Sequence, residues 1–131
     1  MNRTATCRCG QLSTTCIGKQ VRVSVCHCYD CQKRSGSVCA AQARFPAEAV
    51  TISGEHKVYT HIGDSGESAD FHFCPICGST LWYHAPPYRE LFAIAIGGFA
   101  DRDFPAPHYS VWEGRKHPWV TISGDNIEHH D

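Results

Sequence analysis

Seven of the nine cysteines fall into three tight clusters, and this spacing is typical of metal binding. The clusters are Cys7-x-Cys9, Cys26-x-Cys28-x2-Cys31 and Cys74-x2-Cys77. Cysteines spaced this closely suit chelation of a shared ion better than pairing with each other, and zinc is the ion that most often takes such ligands. The sequence therefore predicts a zinc protein.

The clusters divide naturally into one set of four and one set of three. Structural zinc sites are closed by four protein ligands, whereas catalytic sites use three and keep a position for water or substrate. Glycine follows the last cysteine of two clusters, as Gly10 and Gly78, and it accepts the positive φ of the turn behind a metal knuckle. This favours a structural zinc on Cys7, Cys9, Cys74 and Cys77, and a second, open zinc on Cys26, Cys28 and Cys31.

A zinc ribbon is an equally consistent division on spacing alone. Cys28 and Cys31 can be combined with Cys74 and Cys77 as two CxxC pairs on one ion. Cys7, Cys9 and Cys26 would then have no assigned role. Ligand rules do not separate this division from four plus three.

Length and composition indicate one globular domain spanning residues 1–131. Hydrophobic residues make up 42% and charged residues 19% of the chain, which is ordinary for a folded domain. The N-terminal segment lacks the apolar run of a signal peptide, and no stretch approaches the ~20 apolar residues of a membrane span. We therefore expect a cytoplasmic protein without membrane contact, whose cysteines stay reduced.

The charge of the chain argues against nucleic acid as a partner. The formal net charge is −1 with the cysteines counted as neutral, and thiolates would make the protein more acidic even with zinc bound. A phosphate backbone requires a basic face. We expect no nucleic-acid partner.

Short alternating segments bounded by glycine and proline predict a mainly β chain. Leu91–Ile96 is a continuous apolar run, typical of a central strand. The one predicted helical turn spans about Tyr29 to Arg34, inside the second cluster. The other predicted strands lie at about 21–25, 50–53, 56–62, 69–73, 80–84, 108–112 and 120–123.

Several motifs together resemble a known family. They are Cys7-x-Cys9-Gly10, the run CHCYDCQKRSG at 26–36, ARFP at 43–46, FCPICGS at 73–79, IGGF at 96–99 and Trp112 with the closing KHPW at 116–119. This order of motifs resembles the glutathione-dependent formaldehyde-activating enzymes, whose domain centromere protein V shares, and it covers nearly the whole chain.

The resemblance implies a β-rich tent fold with two zinc ions, divided as four plus three. It also implies an activity, that of a carbon–sulfur lyase of the S-hydroxymethylglutathione synthase type. Such an enzyme adds a small thiol such as glutathione to formaldehyde or a related aldehyde, or cleaves the adduct. Cys26, Cys28 and Cys31 would then be the catalytic residues, and thiol and aldehyde the small-molecule partners. The alternative is a non-enzymatic structural zinc module for protein–protein interaction.

Side chains around the second cluster are candidates for proton transfer and charge recognition. Tyr29 or His27 could supply a proton, although an extended chain would point His27 away from the metal. Asp30 is expected to cap the helix rather than act as a base. Lys33 and Arg34 either meet the carboxylates of a tripeptide thiol, or stay solvated or balance the charge of the thiolate cluster.

The remaining candidates are expected to be mainly structural. Cys16 and Cys39 stand outside the clusters and are predicted to be small core residues. Cys39 follows Cys31 closely enough that a place near the second site is the alternative for it. Phe99, Trp112 and Trp119 could wall a pocket at the second zinc, but core packing is the favoured interpretation for each of them.

Overall fold

The computed structural model describes residues 1–131 and is built mainly from short β-strands with one α-helix. The strands are β1 (Asn2–Thr6), β2 (Ser13–Ile17), β3 (Arg22–Cys26), β4 (Ala40–Pro46), β5 (Val50–Ser53), β6 (Lys57–Ile62), β7 (Ser68–Phe73), β8 (Thr80–His84), β9 (Leu91–Ala95), β10 (Tyr109–Val111) and β11 (Glu128–His129). The helix is α1 (Tyr29–Ser35), and single 3₁₀ turns lie at Ala47–Ala49, Ile96–Phe99 and Glu113–Arg115. The prediction of a mainly β fold with one short helix is confirmed.

The strands form two sheets. The smaller has the order β1-β2-β5, and the larger has the order β11-β10-β3-β4-β9-β8-β7-β6. All neighbours are antiparallel except β10, which lies parallel to both β3 and β11. The strand predicted at 120–123 is wrong: the chain turns there, with the Val120 N–H bonded to the His117 carbonyl and the Val120 carbonyl taken by the Lys116 ammonium group.

The hydrophobic core joins the two sheets. Register places Val23 opposite Ala43, and Ala43 and Trp82 both opposite Ile94, so these side chains share the inward face of β3, β4, β8 and β9. Leu12 and Cys16, the latter on β2, close the core on the side of the smaller sheet. Cys16 is fully buried, which confirms its prediction as a core residue.

The opposite face of the large sheet carries a different set of side chains. Ser24 and Gln42 are directly paired in register and buried there, next to the pair formed by Cys26 and Ala40. Helix α1 begins just after Cys26 and packs against β4. It ends at Gly36, which has a φ of 70° and terminates the helix in the left-handed conformation. No helix has the length and apolar character needed to cross a membrane.

A side-chain clamp joins the N-terminal knuckle to the loop after β5. The Gln11 side chain donates to the Glu55 carbonyl at 2.7 Å and accepts from the Glu55 N–H at 3.0 Å. Gly54 allows this close approach because a Cβ there would collide with the Gln11 carbonyl oxygen, and its φ is +98°. Both constraints require glycine at position 54.

We predict that Gly54→Ala destabilises the protein by about 2–4 kcal/mol, since it combines a left-handed φ with a backbone collision. The urea midpoint of the metal-loaded protein measures the change. Gly63→Ala is the matched control, because its φ is not in the left-handed region and the nearest atom to a new Cβ is 3.9 Å away. Equal midpoints for the two variants would contradict the packing argument.

Candidate metal centres

Four cysteines from two distant knuckles converge on one point. The sulfurs of Cys7, Cys9, Cys74 and Cys77 all lie within 4.8 Å of one another. The Cys7–Cys9 and Cys9–Cys74 sulfur distances are 3.6 and 3.7 Å. Tetrahedral zinc with bonds of about 2.3 Å requires sulfurs about 3.8 Å apart. The four-cysteine cluster therefore has the donors and the spacing that zinc needs.

Hydrogen-bond donors surround these sulfurs. Backbone N–H groups of Leu12 and Ile76 point at the sulfurs of Cys7 and Cys74, at 3.3 and 3.4 Å. Gly10 and Gly78 turn the chain behind each knuckle with φ values of 86° and 81°. These turns aim successive N–H groups back toward the sulfur atoms.

Two polar side chains complete the shell of the four-cysteine cluster. The Gln11 amide donates to the Cys74 sulfur at 3.0 Å, and the Ser79 hydroxyl lies 3.3 Å from the Cys77 sulfur. The hydrogen bond from Ser79 lowers the pKa of Cys77 to about 5. Cys77 thus favours the thiolate form that metal binding requires, whereas burial and hydrogen bonds from the neighbouring thiols raise the pKa of Cys9 to about 11.

The second cluster forms where β3 runs into α1. Cys26 ends the strand, Cys28 caps the helix and Cys31 lies in its first turn, with all three sulfurs within 4.8 Å of one another. The Cys31 N–H donates to the Cys28 sulfur at 3.3 Å. Hydrogen bonding among the thiols lowers the pKa of Cys28, the preferred thiolate, and raises that of Cys26.

No fourth ligand closes the three-cysteine cluster. No histidine, carboxylate or further cysteine lies within 4.8 Å of all three sulfurs. Cys28 and Cys31 group with Cys26, and they do not form the ribbon with Cys74 and Cys77 that spacing also allowed. Three thiolate donors fit zinc with one position left for another ligand.

His27 points away from the sulfurs on either side of it. Its side chain is fully buried, and its Nε2 lies 2.9 Å from the Ser110 hydroxyl on β10. Burial lowers the pKa of His27. This geometry agrees with the expectation that His27 is not a metal ligand, because its ring is held by β10 and is not directed at the sulfurs.

Gln32 ties helix α1 to the C-terminal segment, a link that the sequence did not indicate. Its amide nitrogen donates to the His27 and Arg115 carbonyls at 2.7 and 3.2 Å. Its amide oxygen lies 3.0 Å from His117 Nε2. These three contacts fix the orientation of the helix that carries Cys31.

The predicted capping role of Asp30 is wrong. The residue with extended backbone before the helix is Cys28, and its sulfur takes the place of a capping oxygen. Asp30 instead lies in the first turn, with its carboxylate 3.4 Å from the ring of His61 on β6. The proton donor suggested at Tyr29 is more than half exposed, and its ring packs under Arg115.

Arg34 is the cation closest to the three-cysteine cluster. Its guanidinium donates to the Cys31 sulfur at 3.6 Å and lies 5.2 and 5.1 Å from the ring centres of Phe71 and Tyr83. Desolvation raises the pKa of Tyr83, and the nearby thiols of Cys31 and Cys26 act in the same direction. Tyr83 therefore keeps its proton at neutral pH.

Two cavities of about 370 Å³ each flank Arg34. One lies under the β6–β7 hairpin and is lined by Asp30, Lys33, Arg34, Tyr59, His61, Phe71, Phe73 and Thr80. The other extends toward Ser79 of the four-cysteine cluster and includes Cys39. Cys39 is thus only half-buried beside a cavity rather than a core residue.

The aromatic residues expected as pocket walls lie elsewhere. Phe99 packs against the core, 4.7 Å from the ring of Phe104, whereas Trp112 and Trp119 are 49% and 71% exposed. The expectation of core packing is therefore right for Phe99 and wrong for the two tryptophans. The aromatic lining of the cavity under the β6–β7 hairpin comes instead from those two strands, as Tyr59, Phe71 and Phe73.

Comparison with known proteins agrees with this arrangement. The family model described as "Glutathione-dependent formaldehyde-activating enzyme" matches residues 2–115, which include both cysteine clusters. No curated protein matches the chain. A Rhodobacter sphaeroides protein solved by structural genomics superposes with a TM-score of 0.58 and 18% identity, over 78% of this chain and 90% of that chain. At that identity the match shows the fold alone.

We predict opposite outcomes for cysteine substitutions in the two clusters. Cys74→Ser should abolish cooperative folding, because Cys74 is fully buried and its cluster joins the N-terminal knuckle to the middle of the chain. Cys28→Ser should fold and lose only one of two zinc ions. Metal content and thermal melting measure both effects.

Cys16→Ala is the matched control, since Cys16 is equally buried but belongs to neither cluster. It should keep both zinc ions and lose about 1 kcal/mol of stability. A cooperatively melting Cys74→Ser, or an unfolded Cys28→Ser, would refute this assignment of the two centres.

Proposed function

Because the chain belongs to the glutathione-dependent formaldehyde-activating enzyme family, we propose that it joins a small thiol of the glutathione class to formaldehyde. The same catalyst cleaves the adduct, so the activity is that of a carbon–sulfur lyase. In this proposal residues 1–131 form one zinc-binding domain. Cys7, Cys9, Cys74 and Cys77 hold a structural zinc, and Cys26, Cys28 and Cys31 hold a catalytic one.

The single observation that carries the proposal is the incomplete ligand set of the second cluster. Three sulfurs converge and no fourth protein ligand joins them, the arrangement of a catalytic rather than a structural zinc site. Arg34, which donates to the Cys31 sulfur of the cluster, also lines two cavities large enough for a small molecule. A purely structural zinc module would need neither feature.

The reaction requires a thiolate nucleophile and a proton for the developing oxygen. Zinc held by three thiolates would favour the deprotonated form of an added thiol at neutral pH. The thiol sulfur then bonds to the carbonyl carbon, the C=O π electrons move to oxygen, and the oxygen takes a proton. The balance is R–SH plus H₂C=O giving R–S–CH₂–OH.

Arg34 and Lys33 give the site a basic rim for the rest of the thiol compound. Both line the cavity under the β6–β7 hairpin, and Arg34 also lines the second cavity. A tripeptide thiol carries carboxylates, and a guanidinium group binds a carboxylate through two parallel hydrogen bonds. Because Arg34 also contacts the Cys31 sulfur, the charge that recognises the substrate lies next to the proposed reacting centre.

The first experiment is the exchange of ¹³C-formaldehyde with its glutathione adduct, followed by NMR on protein of known zinc content. We expect exchange faster than the uncatalysed reaction, two zinc ions per chain, and loss of the acceleration in Cys28→Ser. Cys16→Ala is the matched control, because Cys16 is buried in the core, lines none of the cavities described and belongs to neither cluster. Two bound zinc ions without acceleration would favour the structural module for protein–protein interaction.

We predict that Arg34→Gln weakens glutathione binding about tenfold, the usual scale for losing one charge-assisted contact. Binding of 2-mercaptoethanol, which has no carboxylate, should change much less. Titration calorimetry on the zinc-loaded protein measures both affinities. Arg102→Gln is the control, because Arg102 is exposed and lines none of the cavities described. Equal weakening for both thiols would contradict carboxylate recognition by Arg34.

A further inference from the structure

A small hollow lies on the face of the large sheet below Arg34. Its volume is about 10 Å³, which is room for one water-sized group. Ala93 and Ala95 of β9 form part of its wall, and Gln42 and Tyr83 also line it. Arg34 lines the hollow and also contacts the Cys31 sulfur, so one side chain touches both the hollow and the three-cysteine cluster.

Gln42 contributes a buried hydrogen-bond acceptor that has no partner. The side chain is only 3% exposed. Its amide nitrogen donates to the Ser24 hydroxyl at 3.0 Å, but its Oε1 makes no hydrogen bond. Buried polar atoms in folded proteins are nearly always paired, so an unpaired one requires an explanation. A bound group that donates a hydrogen bond would supply the missing partner.

Tyr83 contributes a donor to the same hollow. The Arg44 guanidinium donates to the Tyr83 oxygen at 3.4 Å and to the Ser24 oxygen at 3.3 Å. Because Arg44 can only donate, the phenolic O–H of Tyr83 remains free to donate to another acceptor. Two side chains that line the hollow, Tyr83 and Gln42, therefore carry one free donor and one free acceptor, and both belong to a shared network.

We propose that this hollow, the oxygen pocket, binds the carbonyl oxygen of formaldehyde and then the hydroxyl of the product. The Tyr83 O–H donates to the oxygen as negative charge develops on it, and Gln42 Oε1 accepts from the hydroxyl once the proton has arrived. A hydroxyl group both donates and accepts, which matches the two free groups. This inference rests on the proposed function and adds two substrate-binding residues to it.

The size of the oxygen pocket adds a specificity for one-carbon aldehydes. A water-sized hydroxyl fills the available volume, and the carbon attached to it lies at the mouth. The additional methyl group of acetaldehyde lies on that carbon, so it would press on the wall at the mouth, where the half-buried Ala95 lies. The pocket should therefore discriminate by size as well as by hydrogen bonding.

Gln42→Met tests the hydrogen bond, because methionine has a similar length and removes the amide. We expect the glutathione-dependent exchange of formaldehyde to slow by about tenfold to a hundredfold, the range for losing a buried hydrogen bond. Glutathione affinity and zinc content should stay unchanged. Gln20→Met is the control, since Gln20 lines none of the cavities described.

Ala95→Gly tests the size of the oxygen pocket independently of Gln42. The ratio of acetaldehyde to formaldehyde exchange rates should rise at least severalfold, an effect that general destabilisation would not produce. Wild-type protein that fails to accelerate exchange would overturn the proposed function itself. If the wild type accelerates exchange, an unchanged rate in Gln42→Met or an unchanged ratio in Ala95→Gly would overturn only the oxygen pocket. The hollow would then be a site for structural water.

Discussion

Thiolates within 4.8 Å of one another repel, so the fold has to surround them with hydrogen-bond donors and positive charge. Local turns do this at the four-cysteine cluster, where Gly10 and Gly78 direct backbone N–H groups at the sulfurs. At the three-cysteine cluster the donors come from the first turn of α1 and from Arg34. In both clusters these donors come from loops and from the helix, not from the strands.

The two clusters therefore differ in how deeply the fold depends on them. Cys7 and Cys74 are members of the hydrophobic core, so their cluster is continuous with the packing that joins the sheets. Cys28 and Cys31 are only half-buried and face the cavity side of the large sheet. The packing that joins the sheets therefore depends on the first cluster more directly than on the second.

Much of the site could be predicted from the sequence because cysteine ligands cluster locally. The spacing indicated all seven cysteines, and the glycines after Cys9 and Cys77 indicated how they divide. The aromatic and polar lining could not be found in this way. Phe71, Tyr83 and Gln42 come from separate strands, and only the sheet register brings them to one face. Cys28 as a helix cap was also missed, because capping rules favour oxygen.

Because β10 comes late in the chain, the two cysteine clusters can complete their contacts at different times during synthesis. The four-cysteine cluster has all its cysteines once residue 77 has been made. The loop at His27 also needs later residues, because His27 bonds to Ser110 and Gln32 bonds to Arg115 and His117. On a ribosome the chain emerges from its N-terminus. The four-cysteine cluster can thus assemble first, whereas the loop at His27 gains its contacts only when residues 110–117 are available. The three-cysteine cluster therefore reaches its final surroundings only after residues 110–117 have packed against it.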